Sequence, residues 1–97
     1  MNLTNCVAGE QRRLTGAGNC AGEIVLYLTN NCGRPVRYRA AVRDGGALYA
    51  ESGGTIQPGQ RVGGELGGLW SCGRSSSASW YYVAAAATDP YSCVDFR

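Results

Sequence analysis

Residues 36–46 read VRYRAAVRDGG, and no other stretch constrains the fold as tightly. Val36, Tyr38, Ala40 and Val42 fall on alternate positions, with Arg37, Arg39 and Arg43 on the opposite phase. Alternation with period two is the mark of a strand with one buried face. Asp44-Gly45-Gly46 then supplies the positive φ that a tight hairpin turn requires. Such a segment needs a second strand to pair with and a further layer to cover its apolar side.

The remaining sequence offers both. EIVLYLT (23–29) is an apolar, β-branched run that ends in NNCGRP (30–35), a turn rich in Asn, Gly and Pro. ALYAES (47–52) and GTIQ (54–57) follow the hairpin turn, divided at Gly53-Gly54. Pro58-Gly59-Gln60 marks another turn, RVGGEL (61–66) a weak strand, and GGLWSCGRSSS (67–77) a loop. ASWYYVAAAA (78–87) is the strongest late strand, and SCVDF (92–96) the last. About six or seven short strands at this spacing predict an all-β fold, a small antiparallel β-sandwich or barrel. One domain covers 1–97, with 1–22 as a stapled N-terminal segment or irregular edge strand and 23–97 as the sandwich. Val25, Tyr38, Val42, Ile56 and Trp80 are the expected core.

A chain of 97 residues buries a limited core, so its five cysteines need an explanation. None form a C-x-x-C pair and histidine is absent, which speaks against a metal site. Disulfides stabilising the sandwich are the expectation, and with them an oxidising location. Cys6 and Cys20 bracket a polar stretch with a glycine turn, and closing such a loop of about 15 residues contributes roughly 3 kcal/mol. Among Cys32, Cys72 and Cys93 the sequence does not choose. The pairing preferred here is Cys72–Cys93, which leaves Cys32 unpaired.

Composition narrows the chemistry. Without histidine there is no ready general base near neutral pH. The seven carboxylates are scattered, and no phosphate-binding loop is present. The expectation is therefore a protein that is not an enzyme and takes no cofactor or metal. A net charge of +2 is small for nucleic-acid binding. No apolar run is long enough to span a membrane as a helix. MNLTNC lacks the basic and apolar regions of a signal peptide, which fits either a mature secreted domain or a virion component oxidised after synthesis.

All nine basic residues are arginines, whose planar forks suit bidentate contacts to carboxylates. Arg37, Arg39 and Arg43 form one outward row. Trp80 and Tyr82 share one face of the late strand, and Tyr81 and Val83 the other. Trp70 lies in a loop beside Cys72, as a plug over one end of the sandwich or as a contact residue. Tryptophan, tyrosine and arginine dominate interface hot spots. Arg37, Arg39, Arg43, Trp70, Tyr81, Arg12 and Arg13 are therefore the candidate binding residues.

Several features resemble the tendamistat-type small proteinaceous α-amylase inhibitors. These are Cys6 and Cys20 around a short polar loop, Asn19 before Cys20, the apolar strand that follows, and Pro58-Gly59-Gln60. The resemblance implies a six-stranded β-sandwich with disulfides. It places that family's inhibitory Trp-Arg-Tyr triplet in the first disulfide loop, where this chain has Gln11, Arg12 and Arg13.

The functional expectation is a non-enzymatic protein-binding or structural module. It would be a surface or decoration component of a larger extracellular or virion assembly, meeting an acidic protein surface or further copies of itself. The alternatives are an inhibitor of a secreted hydrolase acting through a Cys6–Cys20 loop, and a carbohydrate-binding module using tryptophan and tyrosine.

Overall fold

A computed structural model describes residues 2–14, 22–64, 67–72 and 75–90. Among the described residues a 3-10 turn at Thr4–Cys6 precedes seven strands: β1 (Val7–Leu14), β2 (Glu23–Asn30), β3 (Val36–Asp44), β4 (Ala47–Ile56), β5 (Arg61–Gly63), β6 (Trp70–Ser71) and β7 (Ser79–Ala86). All pairings are antiparallel and fall into two sheets. In the β2 sheet, β1 lies along one edge of β2, while β5 and β6 share the other. In the β3 sheet the order is β4-β3-β7. The architecture is a sandwich of two sheets, not a closed barrel.

The period-two expectation holds for β3. Val36, Tyr38, Ala40 and Val42 from β3 meet Ile24, Leu26 and Leu28 from β2 across one core, joined by Ile56, Leu69, Trp80 and Ala84. All five expected core residues are buried, but Val25 lies on the other side of its sheet from Ile24 and Leu26. Its direct cross-strand neighbours, Arg12 and Trp70, flank it there. Gly45 and Gly46 both have positive φ, and Asp44 pairs with Ala47, so the hairpin turn is the tight two-residue type expected. At the next turn Gln60 N donates to Gln57 O at 3.0 Å, with Pro58 and positive-φ Gly59 between them, a type II turn.

Residues 47–56 form one strand with a bulge rather than two strands, since the register with β3 shifts between Ala40 and Val42. Ala50, with φ 54, and Glu51 stand opposite Ala41 there. Asn30, fully buried, ties the sheets at one end. Its amide donates to Arg34 O and Ile56 O, both at 2.8 Å, and its Oδ1 accepts from Cys32 N at 2.8 Å. A buried amide satisfied in this way avoids the desolvation penalty an unpaired one would carry.

The N-terminal expectation is corrected in two respects. Residues 7–14 are an edge strand of the β2 sheet, the second of the two alternatives, but regularly paired rather than irregular. Cys6 is bonded to Cys32, not to Cys20, with Cα atoms 5.0 Å apart. The β1–β2 register explains the choice: Val7 stands opposite Asn30, which places Cys6 beside the start of the β2–β3 turn. Cys32 is therefore not the unpaired cysteine. Cys72 is also in a disulfide. Its expected partner Cys93, like Cys20 and the expected last strand 92–96, lies outside the described residues.

Candidate binding faces

The sandwich presents two outer faces, and the candidate residues divide between them. On the β3 sheet, Arg37, Arg39 and Arg43 share the face opposite the core, as the alternation requires. Tyr81 joins them because it pairs with Ala41 on β7, and it is 40% exposed. Each arginine is posed by a different contact. Arg37 Nη1 donates to Asp89 O at 2.9 Å. Arg39 stands opposite Gly53, which has no side chain, so its fork reaches diagonally to Glu51 Oε1 in the bulge at 3.3 Å. Arg43 lies over the Tyr81 ring, 4.7 Å from its centroid. Beneath them Ala41 and Ala85 are almost fully buried although they face outward. The arginine stems thus lie along an alanine-lined surface.

Tyr38 faces the core under this row. Burial raises the pKa of its hydroxyl above the ordinary value, while a hydrogen bond with the Ser52 side chain opposes that rise.

The β2 sheet carries Arg12 and Trp70, together with three residues that the sequence did not single out: Glu10, Tyr27 and Arg61. Cross-strand register explains the group. Glu10 and Gly63 flank Tyr27 directly, Arg12 stands opposite Val25, and Arg61 opposite Thr29. Both guanidinium groups approach the Tyr27 ring, at 5.4 Å for Arg12 and 4.5 Å for Arg61. Both also form ion pairs with the same oxygen, Glu10 Oε2, at 3.1 and 2.8 Å. The ring fits because the neighbouring residue Gly64 has no Cβ, which would stand 3.0 Å from Tyr27 Cε1. Arg12, Tyr27, Arg61, Val62 and Gly63 line a shallow depression of about 300 Å³.

Trp70 is neither in a loop nor a plug over the sandwich end. It belongs to β6, pairs with Val25, and donates its indole N–H to Glu23 Oε1 at 2.6 Å. Arg13 is separated from Arg12 by the strand alternation. It points to the other side of β1 and donates to the carbonyl of Ala78, just before β7. Gln11 on that side accepts from Trp80 N, and the Tyr82 hydroxyl donates to Val7 O at 3.1 Å. These three side chains stitch β1 to the edge of β7.

The structure therefore brings Arg37, Arg39, Arg43 and Tyr81 onto one face, places Arg12 and Trp70 on the opposite one, and assigns Arg13 to the join between sheets. The signal for Tyr27 was present: it shares the outward phase of EIVLYLT with Glu23, Val25 and Thr29. Arg61 lies in a strand of three residues, too short to display a period. Among the described residues, no three His, Cys, Asp or Glu side chains group to hold a metal ion, and no helix is long and apolar enough to cross a membrane. Comparison with protein-family models, curated proteins and solved structures finds no match for the chain.

Proposed function

We propose that this chain is a non-enzymatic module that engages an acidic protein surface through the outer face of its β3 sheet, as a surface component of a larger extracellular assembly. One observation carries the reading: Arg37, Arg39, Arg43 and Tyr81 stand together on one sheet face, each arginine already posed by a contact within the chain. Side chains held in place beforehand lose less entropy on binding. The outward positions of β3, β4 and β7 carry these three arginines against one carboxylate, Glu51, so their charge complements an acidic partner. The disulfide suits an oxidising location.

The other two readings draw less support. An inhibitor acting through a Cys6–Cys20 loop loses that loop, because Cys6 pairs with Cys32. A sugar platform built from Trp70 and Tyr81 together fails because the two rings occupy opposite faces.

The test is a photo-crosslinking residue at position 81, with the chain incubated in its native assembly. Capture of a protein at this position should fall roughly tenfold in Arg39→Ala/Arg43→Ala, a change of about 1.4 kcal/mol, and should also fall as salt is raised. Capture that ignores both the double substitution and salt would refute the arginine face as the contact.

A further inference from the structure

The Arg12–Tyr27–Arg61 cluster lies on the face opposite the proposed protein contact, and it is built differently. Arg12 and Arg61 start from rows two positions either side of Tyr27 along β2, so their Cα atoms are offset by roughly 13 Å along the strand direction. Despite that offset, both forks converge over one ring and on one carboxylate oxygen. Glu10 Oε2 accepts a hydrogen bond from Arg61 and forms an ion pair with Arg12, and all three side chains are about half exposed, at 55%, 51% and 51% for Arg12, Glu10 and Arg61. A guanidinium carries several further donors in a rigid plane. The cluster therefore holds two cations against one anion, and both arginines line a shallow depression.

We propose that this depression binds a tetrahedral oxyanion, a phosphate or sulfate ester group of a larger ligand, held between Arg12 and Arg61, whose forks rest over the Tyr27 ring. Charge and donor number favour such an anion. Glu10 already meets both forks with one oxygen, and a tetrahedral centre brings more oxygens and more negative charge to the remaining N–H donors than that single carboxylate. Glu10 acts as the internal stand-in: it holds the forks together when the site is empty and competes with the ligand when the site fills. Gly63 and Gly64 shape the rim. At Gly63, with φ 123, a Cβ would lie 2.1 Å from Leu26 O, and at Gly64 it would press on Tyr27. Any larger residue would displace β5 and Arg61 with it.

The competing role of Glu10 makes the proposal testable without knowledge of the natural ligand. The full chain is titrated separately with inorganic phosphate and inorganic sulfate, with ionic strength held constant by sodium chloride. The shifts of the Arg12 and Arg61 Nε–H groups and of the Gly63 amide are followed by NMR. Saturable shifts are expected at these groups and not at Arg39 or Arg43. Arg61→Gln should weaken binding roughly tenfold, and Glu10→Gln should tighten it by roughly threefold or more, because the carboxylate that competes for the forks is gone. A preference for phosphate that grows as the pH rises and the second proton leaves would point to a phosphate ester; a higher affinity for sulfate, unchanged with pH, would point to a sulfate ester. Shifts that do not saturate with either anion, or a Glu10→Gln variant that binds no more tightly, would overturn the proposal.

Discussion

On the β3 face, the arginines lie along one strand and each meets a different partner: a carbonyl for Arg37, a carboxylate for Arg39, an aromatic ring for Arg43. On the β2 face, two arginines come from different strands, β1 and β5, and meet at the same ring and the same oxygen. Both faces draw on arginine, tyrosine and glutamate. What differs is whether the cations are spread or converge, and register decides it. A row on one strand spaces its side chains by about 7 Å and favours an extended, many-point contact. Residues drawn from the two neighbours of a central strand can close on a single point above it, which favours one compact charge.

The largest effect should come from what the two faces share. Trp80 packs in the core from β7 and its indole N–H lies 3.4 Å from Ile24 O on β2. Trp80→Ala should cost about 3–5 kcal/mol by denaturant unfolding and disturb both faces together. A loss below about 1 kcal/mol would place the ring outside the core.

Gly63→Ala should separate the faces. The added Cβ meets the Leu26 carbonyl at a φ that alanine rarely adopts, so a loss of about 1–3 kcal/mol is expected. Amide shifts should concentrate on β2, β5 and Arg61 and leave β3 and β7 nearly unchanged. Equal disturbance of both sheets would mean that the faces are not independent.

The β3 side has its own reporter in Tyr38. Burial keeps its hydroxyl protonated in the folded state beyond the pH at which the unfolded chain, with a value near 10.0, ionises. The stability contributed is full below about pH 10 and is lost as the pH rises through the folded value. Tyr38→Phe should flatten the alkaline fall in stability, followed by denaturant midpoints between pH 9 and 11.5. An unchanged slope would mean that the ring is solvated.

The smallest effect is expected at the most visible ion pair. Arg39 and Glu51 retain 28% and 34% side-chain exposure. Arg39→Ala should therefore change stability by only about 0–1 kcal/mol, and less at high salt.

The β3 face was the legible one. Alternation in VRYRAAVR, broken only at Ala41, fixes which side chains of β3 face outward, and the two-glycine turn follows from DGG. The β2 face was not legible, because its outer strand breaks the apolar pattern. The inward positions of β1 are Val7, Gly9, Gln11 and Arg13. Gly9 leaves room for the Tyr82 ring, and Gln11 and Arg13 bond backbone groups of Trp80 and Ala78. Polar residues occur where a core-facing strand would have apolar ones because they satisfy the neighbouring edge of β7. With β1 hidden, its register with β2 was hidden too, and with it the Cys6–Cys32 pairing. Trp70 was assigned to a loop because its strand has two residues, which carry no periodicity.

Arginine-selective modification by a dicarbonyl reagent, read residue by residue by mass spectrometry with and without inorganic phosphate, tests the contrast between the faces most directly. Arg12 and Arg61, each about half exposed, should react faster than the more enclosed Arg37 and Arg39. Phosphate should protect Arg12 and Arg61 together and leave Arg39 and Arg43 as reactive as before. Equal rates on both faces, or phosphate protection that extends to the β3 row, would contradict the account of one spread and one convergent arginine face.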